Sequence, residues 1–515
     1  MTLSQLSYSS PTFGAYDPLG TFKVPSVERR DSSADGATAP IKDWPSEPTD
    51  RADLVVIGSG IAGYIAAMET RRYAANARIV MVTEQNHPTI NTPALKQFGA
   101  GQLEPEHLLA FAAGTERQLS IDVVQQRVTA LNPARHRVWL ADGTAINYGR
   151  LLLATGTVAA PLAADLPGRT FDGVITLHQL RDYLDLRRRL PSVSSAVVIG
   201  GGFHAAETAM LLRHQRIKVT WLIRGRGIVP RQLDQTASDL LLRQVRRQGV
   251  DIRLETEVAG IVGRLGVASG ILTNSNEFIA CELVVAAIGT HPEIGLVRRT
   301  PIVASPDHGI RVNSRLQTTG RDVFAAGAVA AVQDPQTQQY DARGQWYFAV
   351  QQGRLAAAVI AGVPVSPAVA MGAVGNFWHT TQFDRLHVVM AGAPLLGERH
   401  DTENETLTKE SGAAYRRIVV RNGHLVGYLA VSANPPPGLT IKRLIDERIN
   451  IDEIKRKLLL DDFDLRSFFT ERRLRVLDSG ESSAVLRPVE DITRAQRIMD
   501  NPVGLPANGL SGSGG

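Results

Sequence analysis

Two glycine turns, Gly58-Ser59-Gly60-Ile61-Ala62-Gly63 and Gly200-Gly201-Gly202-Phe203-His204-Ala205, are the residues of this chain whose spacing most directly implies chemistry. Each follows an apolar run, Leu54-Val55-Val56-Ile57 in the first and Ala196-Val197-Val198-Ile199 in the second, and each leads into a stretch with little to interrupt a helix. In such a strand, turn and helix the first glycine permits the tight turn, the second lets backbone N–H groups approach a pyrophosphate, and the third lets the helix pack close to the strand. The helix N-terminus then faces the anion. Gly58, Gly60 and Gly63, with Ile61 and Ala62 between them, are candidate contacts for one dinucleotide; Gly200, Gly202 and Phe203 are candidates for a second, with Ala205 at the third glycine position.

The residue ending the next strand of each unit bears on the ribose. Ala77-Arg78-Ile79-Val80-Met81-Val82 ends at Thr83-Glu84, so Glu84 reads as an acceptor for the hydroxyls of an adenosine ribose. Val219-Thr220-Trp221-Leu222-Ile223 ends instead at Arg224. A carboxylate there would repel a 2′-phosphate, whereas a guanidinium fork binds one. Arg224, helped by Arg226 or Arg231, therefore favours NADPH over NADH.

Three further segments complete an order of motifs: Tyr148-Gly149-Arg150-Leu151-Leu152-Leu153-Ala154-Thr155-Gly156, Leu283-Val284-Val285-Ala286-Ala287-Ile288-Gly289, and Asp322-Val323-Phe324-Ala325-Ala326-Gly327. With them the chain resembles the two-dinucleotide-domain flavoproteins of pyridine-nucleotide-disulfide oxidoreductase fold, in the branch of the rubredoxin and ferredoxin reductases and the flavin module of NAD(P)H nitrite reductases. The resemblance runs from about residue 52 to 365 and more weakly to about 460.

That resemblance implies FAD on the first turn, NADPH or NADH on the second, and hydride transfer where nicotinamide and flavin stack. It places Glu207, the last residue of Gly-Gly-Gly-Phe-His-Ala-Ala-Glu, beside the nicotinamide, paired with a lysine near the flavin. Lys96 in Thr92-Pro93-Ala94-Leu95-Lys96 is the candidate, one residue out of register with the family's Arg-Pro-x-Leu-Ser-Lys. Val128, Ala154, Thr155, Gly156, Gly327, Ala328 and Trp346 fall at the implied flavin contacts, and Ile288 and Gly289, like Arg226, at those of the second nucleotide. Two departures stand out. Ala328 occupies the position of an aspartate whose carboxylate accepts from a ribityl hydroxyl, and Thr92 replaces an arginine. A lost hydrogen bond to a charged group costs about 1.5–3 kcal/mol, which corresponds to FAD bound about tenfold to a hundredfold more weakly.

Cysteine use restricts the reaction. The chain has 1 Cys, Cys281, in an apolar run that reads as a buried structural thiol. Without a Cys-x-x-Cys there is no intramolecular redox disulfide, and no cysteine stands in the first third of the chain, where a peroxide or oxygen reductase would want one. Electrons then leave the flavin directly, to a partner protein or a small acceptor; the resemblance implies an iron–sulfur carrier or a terminal reductase. The histidines lack metal-ligand spacing and no metal site is expected. The formal net charge of +5 is modestly basic and would steer acidic carriers; no motif for nucleic acid accompanies it. No apolar run reaches the length of a membrane span, no signal segment is evident at the start, and a cytoplasmic protein is expected, as a homodimer or a subunit of a complex.

The expected class is α/β, with two Rossmann-like dinucleotide-binding domains, the NAD(P) domain inserted in the FAD domain, and a C-terminal α+β interface domain. Residues 1–50 read as a disordered arm, 51–165 and 290–365 as the FAD domain, 166–289 as the NAD(P) domain, 370–475 as the interface domain and 476–515 as a mostly disordered tail. In the interface domain, Leu386–Gly392, Ala414–Val420 and Leu425–Ala430 read as strands, the last two joined by an Asn422-Gly423 hairpin turn; Phe377-Trp378-His379 would bring aromatic residues toward the flavin. Two other readings stay open at this point: a non-catalytic subunit of a redox complex with a degenerate flavin site, suggested by Ala328 and Thr92, and a reductase of quinones or small acceptors.

Overall fold

The computed structural model describes residues 51–396, 403–412 and 414–479. The arm expected at 1–50 lies outside them. The helix Leu465–Ser479 runs past the point where the tail was expected to begin; the remainder of that tail is outside the described residues.

The near-continuous apolar runs of the first unit become the centre of a seven-stranded sheet. Its strand Arg51–Ile57 lies between Ile79–Thr83 and Ala145–Leu153, parallel to both. Such a strand is covered on both faces, which is why it reads as apolar rather than alternating. The strand Ala145–Leu153 is long enough to serve two partners on its other side, pairing antiparallel with Arg137–Leu140 near its start and parallel with Val323–Ala325 near its end. Helix Ile61–Tyr73 covers the sheet and packs on helix Trp346–Ile360, where a Cβ on Gly353 would stand 2.6 Å from the Ala62 carbonyl oxygen. Only a glycine allows that approach.

The chain leaves this unit through Thr157–Ala159 and returns through Thr290–Pro292, two strands paired antiparallel with each other. Between these crossings lies a five-stranded parallel sheet in the order Asp251–Leu254, Lys218–Ile223, Ser195–Ile199, Leu283–Ala286, Val174–Thr176. A three-stranded antiparallel sheet, Val258–Arg264, Val267–Thr273 and Phe278–Ala280, is inserted before its strand Leu283–Ala286.

Beyond residue 377 a five-stranded antiparallel sheet runs in the order Trp378–Phe383, Leu386–Gly392, His424–Ser432, Ala414–Arg421, Asn404–Ser411. The Asn422-Gly423 turn joins its hairpin with both residues at positive φ, +50° and +74°, as a two-residue hairpin of matching twist requires. The inner strands have no solvent-facing side. Val388, Met390, Leu429 and Val431 join the core of the second parallel sheet, while Val389, Ala391, Tyr428 and Ala430 pack with Phe348, Trp378 and the helix Gly438–Asp446. Successive residues point to opposite faces, and each face has a partner.

Docking is reinforced by polar contacts. Asp234 caps helix Gln235–Arg247 by accepting from the Ala237 N–H at 3.0 Å. The same carboxylate accepts from the Tyr415 hydroxyl and lies 3.5 Å from Arg417 Nη1. Gln244 and Gln248 of that helix donate to Asp384 at 2.9 and 3.0 Å. Asp234→Ala removes a cap and two bonds of a largely buried carboxylate, so it should cost about 2–4 kcal/mol. Urea unfolding of the full chain measures this, and a loss under about 0.5 kcal/mol, the size of an ordinary surface substitution, would show that the docking lies elsewhere.

Candidate functional site

Ile57, Leu153 and Ala325 end three neighbouring strands side by side, since Ile57 and Ala325 both pair with Leu153. The segments that follow therefore converge. At Gly58, φ is +106° and a Cβ would lie 2.3 Å from the Ala154 carbonyl oxygen; a Cβ on Gly327 would lie 2.9 Å from that of Ala62. The turn is tied from below, with Ser59 Oγ 2.7 Å from Thr83 Oγ1 and Thr89 Oγ1 donating to the Ser59 carbonyl at 2.8 Å. Gly60, by contrast, has nothing within 4 Å of its missing Cβ, which leaves the N-terminus of helix Ile61–Tyr73 open to a phosphate.

Around this opening stand the other predicted contacts. Glu84 is exposed at the strand end, 3.8 Å from Arg127 Nε, and Val128 beside that arginine is half-buried against the core. Thr155 points its hydroxyl away, donating to the Glu293 carbonyl at 2.8 Å, and Gly156 accepts from the Glu293 N–H at 2.9 Å. Ala328 is half-buried and Trp346 opens its helix, also half-buried. The turn at Gly327 is held by the buried Gln352, whose Oε1 accepts the Gly327 N–H at 2.7 Å. Sequence reading did not single out Gln352. These residues fit an adenosine diphosphate at Gly58–Gly63, while at the Gly327 end the chain supplies no side-chain acceptor at 328.

The second turn repeats the construction. A Cβ on Gly200 would lie 2.2 Å from the Ala287 carbonyl oxygen, and Gly202 has nothing within 4 Å. The wholly buried Trp221 donates its indole N–H to the Gly200 carbonyl at 2.7 Å. Ile288 and Gly289 follow the facing strand and are exposed. Arg224 is exposed at the strand end; Arg226 pairs with Glu255 at 3.0 Å, both side chains in solvent.

On the helix that the second turn begins, Phe203–His214, Glu207 forms an ion pair with Lys96 of the short helix Leu95–Gly99. The sequence register that set Lys96 one residue from the family pattern does not keep the two apart. Burial pulls the Lys96 ammonium down to about 8. Glu207 is held on its other oxygen by Thr381, which donates at 2.6 Å. His379, two residues earlier on the same strand, stacks on Phe203 with centroids 5.2 Å apart. Its Nε2 is buried without a hydrogen-bond partner, as in a site that a polar ligand would complete. Burial, then the Lys96 charge, lowers both His379 and His204 to about 4. Nothing in the sequence marked Thr381; His379 was noted only among the approaching aromatics.

A family model for pyridine nucleotide-disulphide oxidoreductases matches residues 52–353. The chain belongs to that family. It is 28% identical over 279 residues to the ferredoxin–NAD(+) reductase component of the biphenyl dioxygenase system of Paraburkholderia xenovorans, across 54% of this chain and 67% of that protein. It is 32% identical over 284 residues to rhodocoxin reductase of Rhodococcus erythropolis, across 55% of this chain and 66% of the relative. The fold is similar to that of the covalent putidaredoxin reductase–putidaredoxin complex, with a TM-score of 0.73 and 24% identity over 82% of this chain and 99% of that one. As a member of the pyridine nucleotide-disulphide oxidoreductase family, the protein is an NAD(P)H-dependent flavoprotein oxidoreductase, with FAD and a pyridine nucleotide as cofactors. The disulphide of the family name has no counterpart: Cys281 is buried, and burial pushes its thiol up to about 12. Among the described residues no helix is long and apolar enough to cross a membrane.

The two lowered histidines set a pH dependence. Their folded values of about 4 lie below the ordinary 6.5, so the unfolded chain binds more protons between these limits and stability falls as pH drops through that window. His379→Leu should flatten this fall, as read from urea midpoints between about pH 4 and pH 6.5. A slope identical to that of wild type would place the effect elsewhere.

Proposed function

We propose that this protein takes hydride from NAD(P)H onto FAD and passes the electrons singly to an iron–sulfur carrier of the ferredoxin or rubredoxin class, or to a terminal reductase that such a carrier would serve. The observation that carries this reading is the Lys96–Glu207 pair at the helix that the second open glycine turn begins. A chain that had kept only the fold would have no need of a desolvated ion pair there. When bound, FAD supplies the conversion between hydride transfer and single-electron transfer.

Each residue has a part in this reading. Backbone N–H groups at Gly60–Ala62 bind the pyrophosphate of FAD and Glu84 accepts from its ribose hydroxyls. Gly202 and Phe203 open the helix that receives the coenzyme phosphates, with Arg224 on the ribose side. Lys96 presents an ammonium toward the flavin, and Glu207 balances its charge and orients it. Phe203 and His379 stack on each other beside the pair. Cys281 takes no part. A cytoplasmic setting, where reduced pyridine nucleotide is made, suits the reaction.

The direct test is anaerobic mixing of the FAD-loaded chain with NADH or NADPH, followed by a [2Fe–2S] ferredoxin, rubredoxin or a water-soluble quinone. Bleaching of the flavin and reduction of an iron–sulfur carrier, slowing as salt screens the encounter, is the expected result. Flavin that does not bleach, or electrons that reach the quinone alone, would overturn the reading.

Two substitutions examine the departures. Ala328→Asp restores a charged acceptor and should tighten FAD about tenfold to a hundredfold, measured by fluorescence titration of the apoprotein; an unchanged constant would mean that the ribityl chain is held by other groups. Arg224→Glu removes a charge-assisted bond to a 2′-phosphate and adds repulsion. The NADPH to NADH ratio of kcat/KM should fall about tenfold or more, and an unaltered ratio would remove Arg224 from coenzyme choice.

A further inference from the structure

The strand Trp378–Phe383 meets the coenzyme-side helix Phe203–His214 along one face of each. On the strand, residues 379, 381 and 383 alternate with the exposed Thr380 and Gln382; on the helix, Phe203 and Glu207 are four residues apart and share a face. All three strand residues touch that face. His379 stacks on Phe203, Phe383 lies with its ring centroid 6.1 Å from that of Phe203, and Thr381 Oγ1 donates to Glu207 Oε1 at 2.6 Å. Lys96 takes the other oxygen, Oε2.

We propose that Thr381 is a positioning residue for hydride transfer, its hydroxyl fixing the Glu207 carboxylate from the C-terminal sheet while Lys96 fixes it from the flavin side. This rests on the oxidoreductase reading above. The physical case is that the terminal torsion of a glutamate is broad and poorly restrained, so one ion pair leaves the carboxylate free to turn about the contact. A second donor on the second oxygen sets its plane. A carboxylate fixed in this way holds its counter-charge against the Lys96 ammonium. The clamp is stiff because its sheet is tied to the same domain, through Asp384 at the turn after its strand and through Tyr415 of the strand Ala414–Arg421, which donates to Asp234. Lys96 is faced by Glu207 and His204 from the helix and by His379 from the strand, and both imidazoles are neutral at pH 7. The carboxylate is thus the counter-charge that Thr381 acts through.

The test compares wild type, Thr381→Val, Thr381→Ala and Thr381→Ser as full-length, FAD-loaded chains. Trace acetic anhydride labelling of Lys96 across a pH series, read by mass spectrometry without coenzyme, gives the titration midpoint of that amine. Stopped-flow reduction by NADH and NADPH gives the limiting rate and the coenzyme Kd. In the valine and alanine variants the midpoint should fall by about half to one pH unit, and the limiting rate about three- to tenfold at nearly unchanged Kd, with serine restoring both. Alanine covers the case in which the valine methyl group disturbs folding. If wild-type flavin is reduced by coenzyme, an unmoved midpoint, an unchanged rate, or a loss that serine fails to recover overturns the clamp. If neither coenzyme reduces wild-type flavin, the oxidoreductase reading fails instead, and the labelling alone decides whether Thr381 holds the pair.

Discussion

Both nucleotide turns depend on one constraint: backbone must pass closer to backbone than any side chain permits. At Gly58 and Gly200 a Cβ would stand 2.3 and 2.2 Å from the carbonyl oxygens of Ala154 and Ala287. These carbonyls end the neighbouring parallel strands, so the approach is a consequence of sheet register. Once the strand ends are aligned, the turns that leave them converge, and the glycines let them do so without opening the sheet. The neighbouring Gly60 and Gly202 then face free space. Tight packing under the first glycine and openness at the later one belong to the same design, since the phosphate-facing N–H groups are placed by the packed half of the turn. Trp221 extends the principle below the second turn, where its indole N–H holds the Gly200 carbonyl.

The C-terminal sheet is more than a cover. Alternate residues of its inner strands enter two different cores, one shared with the coenzyme-side sheet and one with helices Trp346–Ile360 and Gly438–Asp446. A sheet buried on both faces resists sliding, because a one-residue shift would exchange the two sets of side chains. That fixes His379 and Thr381 with respect to Phe203 and Glu207. At the other end of the sheet, Arg416 is buried and donates to the Asn434 carbonyl at 3.1 Å and to Asp461 at 2.6 Å, while Asp464 caps the last helix through the Arg466 N–H at 2.9 Å and the Ser467 hydroxyl at 2.6 Å. The acidic run 461–464 thus divides between a buried arginine and a helix start.

Legibility from sequence followed the range of the interactions. The glycine turns, the strand ends before Glu84 and Arg224 and the Asn422-Gly423 hairpin were readable because each rests on backbone needs within a few residues. The family order of motifs also pointed to Lys96 and Glu207, although 111 positions separate them in the chain. Thr381 was not readable. A threonine in a strand has no local signature, and its partner lies 174 residues away. Gln352 was hidden for a similar reason: it sits in the middle of an apolar helix, and only the fold shows both ends of its amide occupied. The two-faced burial of the C-terminal strands was likewise open in the sequence, because alternation fails equally for a buried sheet and for a strand in a parallel core.

Gln352 also separates two effects that Ala328 would otherwise confound. In this chain the turn at Gly327 does not depend on its own side chains for its shape. Its N–H is accepted by Gln352 Oε1 at 2.7 Å, and the same amide donates to the Ala373 carbonyl at 3.3 Å, which ties the turn to the helix Pro367–Val374 beyond it. An alanine at 328 therefore removes an acceptor from the flavin side without loosening the backbone that presents the site. The lack of an acceptor at 328 is thus separate from the shape of the turn, which the buried amide holds. A buried amide satisfied at both ends is a strong restraint, since breaking either bond would leave a polar group without water or partner. The frame at Gly327 holds its shape without a side-chain acceptor at 328.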